Sequence, residues 1–128
     1  MLKQEAEKIY LEQDYNCAET VLAAANIVYA LGLSKEDIKL VSAFGGGMGC
    51  GSTCGALCSA LAALGKKHVT TRAHATEGFK DLCANLVADF EQVLGSTDCE
   101  VLVQKYKTEN TRCLATVLLA CDVLEKYM

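Results

Sequence analysis

The 128-residue sequence contains no proline and no tryptophan, and aromatic residues make up only 6% of it. Without proline, no position is barred from a helix by a missing backbone N–H or a ring clash. No apolar run approaches the ~18 residues of a membrane span; the longest lie around 55–64 and 115–121, so direct membrane insertion is not expected. Positive charge is also scarce: 12 Lys and Arg stand against 16 Asp and Glu, for a net charge of −4. Apart from Lys66-Lys67 the cations are scattered, which argues against a nucleic-acid partner. The motifs of nucleotide-driven and hydrolytic catalysis are missing too. No Gly-Lys-Ser/Thr follows the glycine-rich segment, and there is neither a G-x-S-x-G elbow nor an H-E-x-x-H.

What is present is an apolar fraction of 52%, a charged fraction of 22% and a mean hydropathy of +0.20, the balance of one compact domain over residues 1–128. A chain of this length buries roughly two-thirds of the surface it exposes when unfolded and needs no disulfide staples. Eight cysteines therefore stand out, although they fall short of the roughly 8–10% that marks secreted disulfide scaffolds. The opening Met1 to Lys8 alternates charge and polarity without the apolar stretch of a secretory signal, so a cytoplasmic protein is expected. In a reducing cytosol, cysteines point to metal binding, thiol chemistry or apolar packing before structural disulfides.

Helical punctuation runs from end to end. Leu2, Ala6, Ile9 and Tyr10 recur at helical spacing through about Gln13. Asn16 with Glu19 forms a capping-box pattern opening a helix at Cys17, with Gly32 as its stop. Ser34 caps a third helix to about Phe44. Five of the seven residues from 45 to 51 are glycine; at roughly 1 kcal/mol per interior position relative to Ala, that density excludes an ordinary helix. Ser52 or Thr53 then caps a fourth helix to Leu64, ended by Gly65. A fifth spans about Arg72 to Leu94, with Phe79, Leu82, Cys83, Leu86, Val87, Phe90 and Val93 inward. A sixth covers roughly Asp98 to Tyr106, and Asn110 or Thr111 caps the last, through Tyr127. The spacing predicts an all-α bundle of six or seven helices, with a Gly-rich loop before the central helix.

On this map Cys17, Cys54, Cys99 and Cys113 all fall in first turns. There, free backbone N–H groups and the positive end of the helix dipole favour negative charge and are expected to lower thiol pKa values. Cys83 and Cys121 lie mid-helix on apolar faces, where a cysteine packs as a small hydrophobe. Cys50 and Cys58 are intermediate: with Cys54 they give C-x3-C-x3-C beside the glycine loop. Either they add thiols to a site, or they are small apolar residues in a closely packed segment.

The segments Asn16-Cys17-Ala18-Glu19, Phe44-Gly45-Gly46-Gly47-Met48-Gly49 and Cys54-Gly55-Ala56-Leu57 resemble the C_GCAxxG_C_C family of redox-active proteins, small helical proteins with four hallmark cysteines. Cys99 and Cys113 match the family's late cysteines in order, so the resemblance implies Cys17, Cys54, Cys99 and Cys113 as the functional set. It also implies an iron–sulfur centre, as in the related domain of split-Soret cytochromes, and membrane transporters as one class of associated protein. One departure is visible: the motif's closing glycine is Ser59 here, preceded by Cys58.

Three chemistries could use these thiols. An iron–sulfur cluster needs about four thiolates from separate segments with N–H donors to the sulfurs, which helix starts and a glycine loop supply. Met48, Phe44 and neighbouring leucines would shield it. A structural zinc site would take the same ligands, but the usual paired knuckles are missing. A metal-free thiol/disulfide oxidoreductase would use a low-pKa Cys54 with Cys17, Cys50 or Cys58 as the resolving thiol. Glu19 beside Cys17 could accept a proton or simply complete the cap. His68 and His74 read as surface residues, with ligation by His68 the minor alternative. Lys66-Lys67-His68 either attracts an acidic partner or serves the helix end. The first expectation is a small redox protein that exchanges electrons with a partner protein or senses redox state, with Cys50 and Cys58 as secondary ligand candidates. The high apolar and alanine content predicts a homo-oligomer such as a dimer.

Overall fold

A computed structural model describes all 128 residues and contains seven α-helices and no strand. Helix α1 (Leu2–Glu12) buries Leu2, Ala6, Ile9 and Tyr10, the stripe its periodicity predicts. Helix α2 (Cys17–Tyr29) opens on the predicted capping box: Asn16 accepts the Glu19 N–H, and Glu19 returns a carboxylate to the Asn16 N–H. It stops at Tyr29, short of Gly32, because Ala30 turns left-handed at φ 51°. Asn26 then clamps the returning chain, accepting the Leu33 N–H at 2.8 Å and donating to the Leu33 carbonyl at 3.0 Å.

The third predicted helix has the expected extent but two forms. A capped α-turn, α3 (Lys35–Ile38), tightens into a 3₁₀ segment over Lys39–Phe44. Helix α4 (Gly55–His68) differs from expectation at both ends: Cys54 itself is the N-cap, and Gly65 continues the helix to His68. Residues 72–78 are not α-helical. A short 3₁₀ turn occupies Ala73–Ala75, and Gly78 at φ 74° resets the chain before α5 (Phe79–Leu94), which Gly95 closes. Helix α6 (Cys99–Tyr106) starts where predicted, whereas α7 (Leu114–Glu125) starts later than an Asn110 or Thr111 cap would place it, because Cys113 is its N-cap.

The most extensive packing is between α2 and α4. Ala18, Ala24 and Ala25 on one and Ala56, Ala60 and Ala63 on the other are all buried, and such small side chains let helix axes approach to the short end of the usual 8–10 Å. Helix α7 fills the remaining side against α1, α4 and α5 with Val117, Ala120, Cys121, Val123 and Leu124. On α5 the buried positions are Leu86, Phe90 and Leu94; Val93, expected inward, is 40% exposed. Cys121 is wholly buried as expected, whereas Cys83 only packs against the core from a half-buried position. No helix is long and apolar enough to cross a membrane.

Candidate functional site

The four helix starts that carry Cys17, Cys54, Cys99 and Cys113 come together at one end of the bundle. A backbone bridge and a side-chain network tie three of them. An antiparallel bridge joins Thr53 to Asp98, in which the Cys54 N–H donates to the Thr97 carbonyl at 2.8 Å and the Cys99 N–H to the Ser52 carbonyl at 2.6 Å. Cys54 and Cys99 are thereby held side by side, although 45 positions apart in sequence. Asn16, the cap preceding Cys17, donates from its side chain to the Ser42 carbonyl at 3.0 Å, and Ser42 donates to Glu19 at 2.9 Å. This fixes the start of α2 to the segment leading into the glycine loop, and it gives Glu19 a structural role.

The glycine loop makes the close approaches possible. Gly46, Gly47, Met48 and Gly49 are all left-handed, with φ between 62° and 73°, a run that L side chains adopt only at a cost. A Cβ at Gly47 would lie 2.5 Å from the Cys99 Cβ and 2.7 Å from the Ser52 backbone. A Cβ at Gly55 would lie 2.5 Å from the Phe44 carbonyl oxygen and 3.1 Å from the Cys17 Sγ. Two of the motif's glycines are thus glycines because thiols and backbone occupy the space a side chain would need.

Cys17, Cys99 and Cys113 line a cavity of about 230 Å³, together with Tyr10, Asn16, Gly46, Val103, Lys107 and Arg112. That is several times the ~30 Å³ share of one liquid water. Cys54 lies behind it, 3% exposed. Larger depressions along α5 (about 650 Å³) and between α1 and α2 (about 460 Å³) are lined by no cysteine. No three His, Cys, Asp or Glu side chains are drawn close enough to hold a single metal ion.

The thiols titrate in the direction opposite to that expected from helix position. Burial pushes Cys54 up to about 12, and pushes Cys17, Cys99 and Cys113 above the ordinary thiol value as well. The helix-start N–H groups do act as predicted: that of Ala18 favours a Cys17 thiolate and those of Leu57 and Ala56 a Cys54 thiolate, and the Gly46 N–H of the glycine loop adds to the effect at Cys17. They are outweighed by the loss of water. The thiols also oppose one another's ionisation, with Cys113 and Cys99 acting on Cys17, and Cys17 and Cys99 acting on Cys54. Lys107 and Arg112 favour a thiolate at Cys113. Burial therefore opposes a Cys54 that attacks as a free thiolate near neutral pH. A metal, by contrast, takes the proton's place on the sulfur.

The secondary candidates stay outside. Cys50 is exposed and donates only to the Gly47 carbonyl, at 3.6 Å; Cys58 is half-buried on α4 and does not line the cavity. All eight cysteines are free thiols. Met48, expected to shield the site, is 37% exposed. His68 is not at the site: its Nε2 lies 2.9 Å from the Tyr127 carbonyl at the far end of α4. The residues that sequence reasoning missed are Tyr10, Lys107 and Arg112. Tyr10 read simply as a core position of α1, and a cation or two in a loop carries no signal.

Residues 15–127, nearly the whole chain, match a family model described as "Putative redox-active protein (C_GCAxxG_C_C)". The chain belongs to this family. Neither a search of curated proteins nor one of solved structures found a match. The resemblance carried by the cysteine and glycine motifs is thus correct at the level of the family, and the all-helical single body agrees with the fold it implies.

Proposed function

We propose that the protein is a small redox protein that binds an iron–sulfur cluster through Cys17, Cys54, Cys99 and Cys113. The observation that carries this reading is the convergence of four thiols from four separate helix starts, three of them on one cavity far larger than a single ion. A mononuclear zinc site would need its sulfurs within about 2.3 Å of one centre, and no such set is gathered. The donor chemistry suits a cluster. Soft thiolates are its usual ligands, and backbone N–H groups directed at the Cys17 and Cys54 sulfurs stabilise negative charge there.

When bound, the cluster supplies one-electron chemistry. The chain's own residues would do the rest. Cys54 anchors from the dry side, while Cys17, Cys99 and Cys113 close from the solvent side. The left-handed glycine run would bring the Gly46 N–H to the Cys17 sulfur, and Lys107 and Arg112 offset negative charge at the open face. Electron exchange would take place with a partner protein at that face.

Anaerobic purification, followed by visible absorption and by iron and sulfide analysis, tests the proposal. Brown protein with stoichiometric iron and sulfide is expected. A colourless, iron-free protein that also fails chemical reconstitution would overturn it.

A further inference from the structure

Tyr10 lies outside the segment that the family model matches, yet it is the residue of α1 that reaches the thiol cavity. It is 3% exposed. Its hydroxyl oxygen accepts the Cys113 N–H at 3.2 Å, and the hydroxyl makes no other hydrogen bond. A phenol can donate as well as accept, and a buried tyrosine hydroxyl ordinarily finds a partner for its proton. Here the proton has no protein acceptor, while Cys113 and Cys17 are near enough for their charge to be felt at the oxygen.

The ring is held in place from outside. The Arg112 guanidinium carbon sits 4.4 Å from the ring centroid, and its Nη2 donates to the Tyr10 carbonyl at 3.2 Å. Arg112 is itself left-handed, at φ 51°. Reciprocal backbone hydrogen bonds between Thr108 and Arg112, at 2.9 and 3.0 Å, fix that conformation. The loop before Cys113 therefore clamps Tyr10 from one side while Cys113 fixes its hydroxyl from the other.

We propose that the Tyr10 hydroxyl donates a hydrogen bond to sulfur of the cluster held in this cavity and so sets its reduction potential, with Arg112 as the positioning residue. The inference rests on the cluster reading above. A hydrogen bond to a charged acceptor is worth more than one to a neutral one, and the more reduced state carries more charge on sulfur. Donation by Tyr10 therefore favours reduction.

The test compares wild type, Tyr10→Phe and Arg112→Met, all purified anaerobically. Three quantities are read: iron and sulfide per chain, midpoint potential by dithionite titration, and exchangeable-proton couplings of the reduced state by ENDOR in D2O. Tyr10→Phe is expected to keep its iron, to be roughly tenfold harder to reduce, about 59 mV for one electron, and to lose one strongly coupled exchangeable proton. Arg112→Met removes a positive charge together with the clamp, so its potential falls by charge alone; its positioning role is read from the same proton coupling, which is expected to weaken. An iron-loaded Tyr10→Phe with unchanged potential and couplings overturns the inference and leaves the cluster reading standing. Absence of iron from the wild type as well defeats the reading beneath it. Should Tyr10→Phe alone lose iron, the proton couplings of Arg112→Met decide: weakening of one strongly coupled exchangeable proton supports the inference, and wild-type couplings overturn it.

Discussion

Replacing Gly55 by alanine puts a methyl group 2.5 Å from the Phe44 carbonyl oxygen, 3.0 Å from its carbon and 3.1 Å from the Cys17 sulfur. Ordinary contact begins near 3.4 Å, so either the Phe44 backbone or the start of α4 must give by about 0.9 Å. Neither is a flexible side chain end, and overpacking of this kind costs about 1–3 kcal/mol. Against this stands the helix propensity of alanine over glycine, at most about 1 kcal/mol, so the net effect is a loss. The same substitution at Gly65, ten residues along the same helix, meets only the Phe79 ring at 3.8 Å and a right-handed backbone. There the propensity term stands alone, and a gain of about 0.5–1 kcal/mol follows. Urea melts of the reduced, metal-free protein separate the two. With a net loss of about 1 kcal/mol and a slope of about 1–3 kcal/mol/M, Gly55→Ala lowers the midpoint by about 0.3–1 M and Gly65→Ala raises it by a few tenths. Equal shifts of the same sign would refute the claim that Gly55 is a glycine because the site requires it. Gly55→Ala should also lower iron uptake by displacing Cys17, whereas Gly65→Ala should not.

Three further outcomes are expected. Burial pushes Cys54 and Cys121 from 9.0 up to about 12, so the unfolded chain loses these protons first. Their contribution is complete below about pH 9 and falls by about 1.4 kcal/mol per pH unit for each thiol as pH rises toward 12; urea melts of the metal-free protein at about pH 8 and about pH 10.5 check this, and equal stability at the two would contradict it. The Ser59 hydroxyl is fully buried without a partner, so Ser59→Ala should stabilise by about 1 kcal/mol, while Ser59→Gly, which restores the motif residue, should be near neutral because glycine gives back about as much in propensity; a destabilising Ser59→Ala in denaturant melts would show that the hydroxyl has a partner. Asn16→Ala removes both the α2 cap and the tie to Ser42 and should lower Tm by about 3–8 °C, with Asn16→Asp intermediate because it keeps only the cap; calorimetry reads the order.

Helix count and most helix starts were legible because capping chemistry is local. Asn16 with Glu19 and Ser34 with Asp37 each form the reciprocal pair that their spacing announces. The starts of α4 and α7 were not, since a cysteine, Cys54 or Cys113, is not an expected cap; the N–H of Cys54 is committed to Thr97 across the bundle and that of Cys113 to the Tyr10 hydroxyl. Gly65 read as a stop, but only a left-handed glycine ends a helix, and nothing local distinguishes Gly65 from Gly95, which is left-handed.

The four cysteines could be selected from their helix positions and from the family's pattern. That Cys54 and Cys99 meet depends on the bridge between Thr53 and Asp98, a contact with no sequence signature. Thiol acidity was read with the wrong sign because helix position is local and desolvation is not. Tyr10 escaped notice for the same reason: its place in the α1 stripe accounts for its ring, but only the fold brings its hydroxyl to Cys113.

Iron and acid-labile sulfide per chain, measured on anaerobically purified wild type and on single alanine replacements of each of the eight cysteines, tests the central claim most directly. Wild type and the variants at Cys50, Cys58, Cys83 and Cys121 should carry a full complement, and those at Cys17, Cys54, Cys99 and Cys113 should lose most of it. An iron-free wild type, or a variant at Cys58 or Cys50 that loses iron while one at Cys54 keeps it, would contradict the account.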